Sequence, residues 1–212
     1  MTEHLKAMQK AGLSLAIIAF ISVLLVSTTN KLTEQKIAKN RAMMLLRALN
    51  QVAPKSSYDN DLIKSKIIIK TSDTGFSRDT PVYLATKNNV PSIAIFEATT
   101  LKGYSGVIKI IIGIRSNDLS ISGVRIVQHK ETPGLGDKMD IRKSDWVMSF
   151  NGKSLGNPTL NQWQVKKDGG EFEQFTGATI TPRAIVNAVK STLLYAQDNM
   201  QTLFKKTHNT RI

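Results

Sequence analysis

Twenty consecutive residues, Ala11 to Asn30, carry no charged side chain, and no other feature limits the possible folds of this chain so strongly. Their centre, Leu13-Ser14-Leu15-Ala16-Ile17-Ile18-Ala19-Phe20-Ile21-Ser22-Val23-Leu24-Leu25-Val26, is apolar nearly throughout. As a helix the run is roughly 30 Å long, the thickness of a bilayer's hydrocarbon core. A cleaved secretory signal would have a shorter apolar region ending in a small-x-small site. Val26-Ser27-Thr28 is a poor site of that kind, and no cysteine offers a point of lipidation. The run therefore reads as an uncleaved transmembrane helix, residues 11–30, behind a short N-terminal tail, residues 1–10. Lys6 and Lys10 precede it; Lys31, Lys36, Lys39, Arg41 and Arg47 follow it. Counted alone, those charges would keep the following domain in the cytoplasm. The positive-inside bias governs short loops, however, and long domains cross regardless of it. Charge leaves the side of the membrane open.

The whole chain has 212 residues, enough for one domain with a real core. The absence of cysteine excludes a disulfide scaffold, a thiolate zinc site, a Cys-held iron–sulfur cluster and a CxxCH haem attachment. His4, His129 and His208 are too widely spaced to suggest a metal site, and none is expected. Redox or catalytic chemistry would have to use an organic cofactor, carboxylates or hydroxyls. The net charge is +13, with much of the excess at the two ends: +5 over residues 1–50 and +4 over residues 183–212. A nucleic-acid binder would concentrate its charge on one face of the folded domain. Basic flanks beside an apolar segment instead suit anionic lipid, so a membrane is the expected partner and nucleic acid is not.

From Lys31 to about residue 53 the helical pattern continues, with Leu32, Ile37, Met43, Met44, Leu45, Leu46 and Leu49 at helical spacing and no Gly or Pro before Pro54. Residues 31–53 read as an amphipathic stalk, and residues 54–212 as the domain it carries. Strands are expected at Lys66–Thr71, Val82–Thr86, Ser92–Thr99, Val107–Arg115 and Ser120–His129. The last two would form a hairpin through Ser116-Asn117-Asp118. Val107–Ile114 is almost continuously aliphatic, which predicts a strand covered on both faces. From His129 to about Gly177 the chain is irregular and Gly-rich. A last helix is expected from Pro182 to about Phe204, with Thr181 as its N-cap. The fold class is α+β: a single N-terminal transmembrane helix, then one strand-rich domain with a C-terminal helix.

Two segments carry chemistry. In Phe175-Thr176-Gly177-Ala178-Thr179-Ile180-Thr181-Pro182, small residues lie between hydroxyls immediately ahead of a helix. Small residues let a ligand approach the backbone, and the free N–H groups and positive end of the helix favour a phosphate. Arg183 would add to that field. A plain turn with a good N-cap fits the same residues. In His129-Lys130-Glu131-Thr132-Pro133-Gly134-Leu135-Gly136-Asp137, Pro133-Gly134 suits the centre of a type II turn. Its backbone could line a planar ligand, or it could simply be a tight connection after a hairpin.

Taken together, the N-terminal span, the strand-rich domain, the His-x-Glu-Thr-Pro-Gly-Leu-Gly loop (129–136) and the Thr-Gly-Ala-Thr motif ahead of a helix resemble one family along the whole chain. That family is the G subunit of the Rnf, or Rsx, ion-translocating electron-transport complexes of bacterial inner membranes. The chain is similar, more distantly, to the C subunit of the sodium-pumping NADH:quinone oxidoreductases. The resemblance implies an FMN-binding domain carrying covalent FMN, with a phosphoester to the second threonine of the motif, Thr179. Thr176, Gly177 and Ala178, and Glu131, Thr132, Gly134 and Leu135 of the other loop, would line the flavin. A separate flavin transferase would install the group from FAD with Mg²⁺, reading an acidic residue three positions before the motif. That position holds Glu173 where Asp is usual, so the charge is kept on a longer side chain. The implied role is electron relay within a membrane complex, with no catalysis by this chain alone. The other members of the complex would be its partners, and the domain would lie in the periplasm.

The single side chains also have blander readings. Glu131 reads as a solvated loop carboxylate, His129 as a strand-end surface histidine, and Trp146 and Trp163 as core or rim packing. Thr176 could serve the phosphate or its own turn. Lys166 and Lys167 read as a solvated charge run. Two other functions remain compatible with the residues alone. One is a membrane-anchored, non-enzymatic module binding a polyanion or an envelope partner. The other is a hydroxyl-nucleophile hydrolase at 176–181, which lacks a convincing nearby base.

Overall fold

An unbroken α-helix, α1, spans Thr2–Val52. The computed structural model describes residues 2–70 and 78–209. Its contacts divide the chain into two units, Met1–Leu45 and Leu46–Ile212. In the first unit, an 18-residue window of mean hydropathy 2.3 is exposed throughout, which makes this helix long and apolar enough to cross a membrane. Four hydroxyls of its apolar run bond to the helix's own backbone. Ser14 donates to the Lys10 carbonyl (2.9 Å), Ser22 to Ile18 (2.8 Å), Thr28 to Leu24 (2.7 Å) and Thr29 to Leu25 (2.7 Å). Hydrocarbon requires such internal pairing, because it offers no hydrogen-bond partner.

The second unit is built on a five-stranded antiparallel sheet in sequence order. Its strands are β1 (Lys66–Ile69), β2 (Thr80–Lys87), β3 (Val90–Gly103), β4 (Gly106–Arg115) and β5 (Ile121–Gln128). All five expected strands are present, β2 and β3 being longer than predicted. The expected end of the first, Thr71, lies outside the described residues. Helix α2 (Ile180–Asn209) packs on one sheet face. Side chains alternate along a strand, so each strand feeds two faces. Leu84, Phe96, Ile110, Ile112 and Ile114 join the main core with Ile185, Val189 and Leu193 of α2. Residues of the other parity, including Tyr83, Ile95 and Ile111, are also buried, as are Leu49 and Val52 at the end of α1. There the chain closes over the paired Gly113 and Gly123, whose added Cβ atoms would lie 3.1–3.2 Å from Val52, and Ser122 donates to the Val52 carbonyl (2.6 Å). Two coverings explain the unbroken aliphatic run of β4.

The expected N-cap of α2 requires correction. The helix begins at Ile180, and the Thr179 carbonyl accepts from the Arg183 N–H (3.2 Å). Thr181 lies inside the first turn, fully buried, with its hydroxyl committed elsewhere.

Candidate functional site

Three turns and one helix start converge on a cleft of about 250 Å³. The β3–β4 turn, Gly103 to Gly106, contributes Tyr104. The second turn is the predicted one: the Leu135 N–H donates to the Thr132 carbonyl (3.1 Å), and Gly134 has φ +80°. With Pro133 ahead of it, this is the type II arrangement, which needs a residue tolerant of positive φ at its third position. Asp137 accepts from the Gly134 N–H (2.7 Å) and fixes the loop from within. The third turn spans Phe175–Ala178: the Ala178 N–H donates to the Phe175 carbonyl (3.0 Å), and Gly177 has φ +77°. The second and third turns meet where a Cβ on Gly177 would lie 3.6 Å from Leu135 Cδ2.

Of the residues singled out in the sequence, the cleft is lined by Glu131, Thr132, Leu135, Gly177, Ala178 and Thr179. Gly134 and Thr176 shape its turns without lining it. Tyr104, Gly136, Ile180 and Thr181 complete the wall; Gly136, Ile180 and Thr181 belong to the two segments singled out above, and sequence reasoning missed Tyr104. The one local signal for Tyr104 was its place between two glycines at a hairpin tip. Thr179 is partly exposed and its hydroxyl makes no hydrogen bond among the described residues, whereas Thr181 is fully buried.

Glu131 is the main correction. It is not a solvated loop carboxylate but is only 6% exposed. Its Oε1 accepts from the Ser105 N–H (2.9 Å) and its Oε2 from the Thr181 hydroxyl (2.7 Å). Arg183 does not contribute a free charge either, because Asp168 holds its guanidinium through two hydrogen bonds (2.6 and 2.7 Å). That bond holds the Asp168 carboxyl below its usual range. Close to the second turn, the side chain of Arg142 does the same for Asp140.

Aromatic packing supports the third turn. Trp146 meets Phe175 and Phe150 edge-on (5.0 and 5.3 Å), and Phe150 stacks on Phe172 (4.6 Å). The Trp146 indole N–H donates to the Glu173 carbonyl (2.8 Å), and the Glu173 side chain pairs with Lys166 at the surface. Trp163 is fully buried. Both tryptophans therefore pack, as expected. A larger cavity, about 500 Å³, opens at the opposite end of the sheet between the β2–β3 turn and the end of α2. It contains no residue of either motif, so the smaller cleft is the candidate site.

The FMN-binding domain family matches residues 103–194, and the RnfG N-terminal region matches residues 1–52. The G subunit of the ion-translocating oxidoreductase complex of Vibrio atlanticus is 45% identical over 205 residues, covering 97% of this chain and 98% of that protein. The G subunit from Aliivibrio fischeri strain ES114 is 47% identical over 203 residues, covering 94% and 96%. The chain belongs to the G-subunit family of ion-translocating oxidoreductase complexes. Among solved structures, NqrC of Shewanella oneidensis is similar, with a TM-score of 0.46 and 19% identity over 73% of each chain. In this member of the G-subunit family, the FMN-binding match encloses every residue that lines the small cleft. Most residues lining the larger cavity, among them Asn60, Leu84, Met200 and Phe204, fall outside it.

Proposed function

We propose that this chain is the membrane-anchored flavin carrier of an ion-translocating oxidoreductase complex, with FMN esterified through its phosphate to Thr179. One observation carries the reading: the Thr-Gly-Ala-Thr turn (176–179) and the Glu-Thr-Pro-Gly-Leu-Gly loop (131–136), far apart in sequence, form one cleft with an uncommitted threonine hydroxyl at the start of a long helix. The residues fit the group. The N-terminus of α2 favours the negative phosphodiester. Gly177 and Ala178 leave the backbone open to close approach, and Leu135 and Tyr104 supply apolar walls. At about 250 Å³ the cleft lies just below the ~300–1,000 Å³ typical of enclosing ligand pockets. It suits a flavin whose ring stays open to a redox partner.

Bound there, FMN supplies reversible uptake and release of electrons; the protein supplies position, environment and access. Attachment would require a flavin transferase. In that reaction the Thr179 hydroxyl would be the acceptor of the FMN phosphate from FAD, with AMP as the leaving group and the hydroxyl proton passing to solvent. The helix of the first unit would hold the chain in the inner membrane, with the flavin domain on the periplasmic side and the other members of the complex as electron partners.

The test is in-gel flavin fluorescence of the denatured protein, made in a host that has the transferase. Wild type should fluoresce and gain the mass of FMN less one water, located to Thr179 by peptide mapping. Thr179→Ala should lose both signals. An unmodified Thr179 peptide in wild type, or flavin retained by Thr179→Ala, would refute the assignment.

A further inference from the structure

Glu131 is the only charged side chain among the described residues that line the flavin cleft. Its position is unusually well determined. One oxygen is held by the backbone of the β3–β4 turn and the other by Thr181 in the first turn of α2. Glycines surround it: a Cβ on Gly136 would lie 2.6 Å from Oε2, and one on Gly103 would lie 2.9 Å from Oε1. Both partners donate, so the carboxylate acts purely as an acceptor and has no reason to swing toward solvent. Two hydrogen bonds and two missing side chains thus fix a carboxylate in the cleft wall.

We infer that Glu131 sets the redox potential of the group carried in this cleft: its fixed negative charge opposes the arrival of electrons and makes the flavin harder to reduce. The inference rests on the cleft being the flavin site. Charges act strongly where protein replaces water, and charge beside a flavin is one of the means by which a protein tunes it. Glu131 is a positioning residue as well, because it joins the hairpin turn to the helix that begins beside Thr179. The two roles separate experimentally. Glu131→Gln keeps the shape and removes the charge. Thr181→Val keeps the charge and removes one donor that offsets it.

The experiment is a redox titration, followed by visible absorbance, of the flavinylated full-length chain in detergent. Wild type, Glu131→Gln and Thr181→Val are compared, with flavin content measured by in-gel fluorescence. Glu131→Gln should raise the midpoint potential enough to shift the reduced-to-oxidised ratio at least tenfold, about 30 mV for a two-electron couple. Thr181→Val should move it the other way. A wild-type potential in fully flavinylated Glu131→Gln overturns the inference. So does a shift of both variants in the same direction, which would mean only that the cleft has loosened. If Glu131→Gln carries no flavin, Thr181→Val decides: a lower potential supports the inference, and an unchanged or higher one overturns it. Wild type without flavin on Thr179 would instead refute the site itself, a separate outcome read from the same gels.

Discussion

At the scale of single residues, the cleft distinguishes among neighbouring threonines that look equivalent in the sequence. Thr176 is exposed at a turn, Thr181 is buried and bonded to Glu131, and Thr179 lies between them, lining the cleft with a hydroxyl that makes no hydrogen bond among the described residues. The glycines differ in the same way. A side chain on Gly136 would have to displace Glu131, approaching its Cβ to 2.9 Å as well as its carboxylate. One on Gly177 would have room but would sit at φ +77°. The first change breaks a buried polar contact, worth about 1–3 kcal/mol; the second incurs roughly 1–2 kcal/mol of left-handed backbone strain. Gly136→Ala should therefore reduce both denaturant stability and flavin content. Gly177→Ala should reduce stability while leaving the Glu131–Thr181 bond intact. Equal flavin loss in the two variants would contradict this division. The turn glycines Gly134 and Gly177 were legible in the sequence because their signals are local. The burial of Glu131 was not, because its partners Ser105 and Thr181 lie 26 and 50 residues away.

At the scale of elements, strands and helices followed from periodicity, and the aliphatic run of β4 correctly implied cover on both faces. Periodicity did not reveal what supplies the second cover. That depends on Gly113 and Gly123, which stand opposite each other in β4 and β5 and leave space for Val52. A Cβ on Gly113 would fall 2.3 Å from the Ser122 hydroxyl, the group that bonds the Val52 carbonyl. Gly113→Ala must push that hydroxyl aside and strain a well-packed contact, at about 1–3 kcal/mol. For a domain of this size each kcal/mol lowers Tm by roughly 2–4 °C. Gly156→Ala is the control, since nothing lies within 4 Å of its added Cβ and its φ lies outside the left-handed region. Thermal unfolding in detergent should show a clear fall for the first and none for the second. Equal curves would mean that the end of α1 contributes nothing to the domain. The irregular stretch from Gly136 to Ala178 was the least legible part. Its order comes from aromatic contacts such as Phe150–Phe172 and Trp146–Phe175, which no local period encodes.

At the scale of the whole molecule, the feature that dominates the sequence, an uncharged N-terminal run, and the feature that carries the chemistry, the cleft, lie in separate compact units. The charge pattern does not choose a side of the membrane: Lys31 to Arg47 favour the cytoplasm by count, yet the domain beyond them is long enough to be translocated regardless. The chain has no cysteine, and a covalent flavin would not be lost from a domain facing an open compartment. The same absence makes the orientation directly measurable. The chain has no native cysteine, so one introduced at the exposed Ser149 is its only thiol. In intact cells producing the full-length Ser149→Cys protein, a membrane-impermeant maleimide should label that thiol without lysis. In-gel flavin fluorescence should meanwhile remain at the wild-type level, because Ser149 lies outside the cleft. Labelling that appears only after the inner membrane is broken would place the flavin domain in the cytoplasm and reverse the proposed orientation, leaving the assignment of Thr179 untouched.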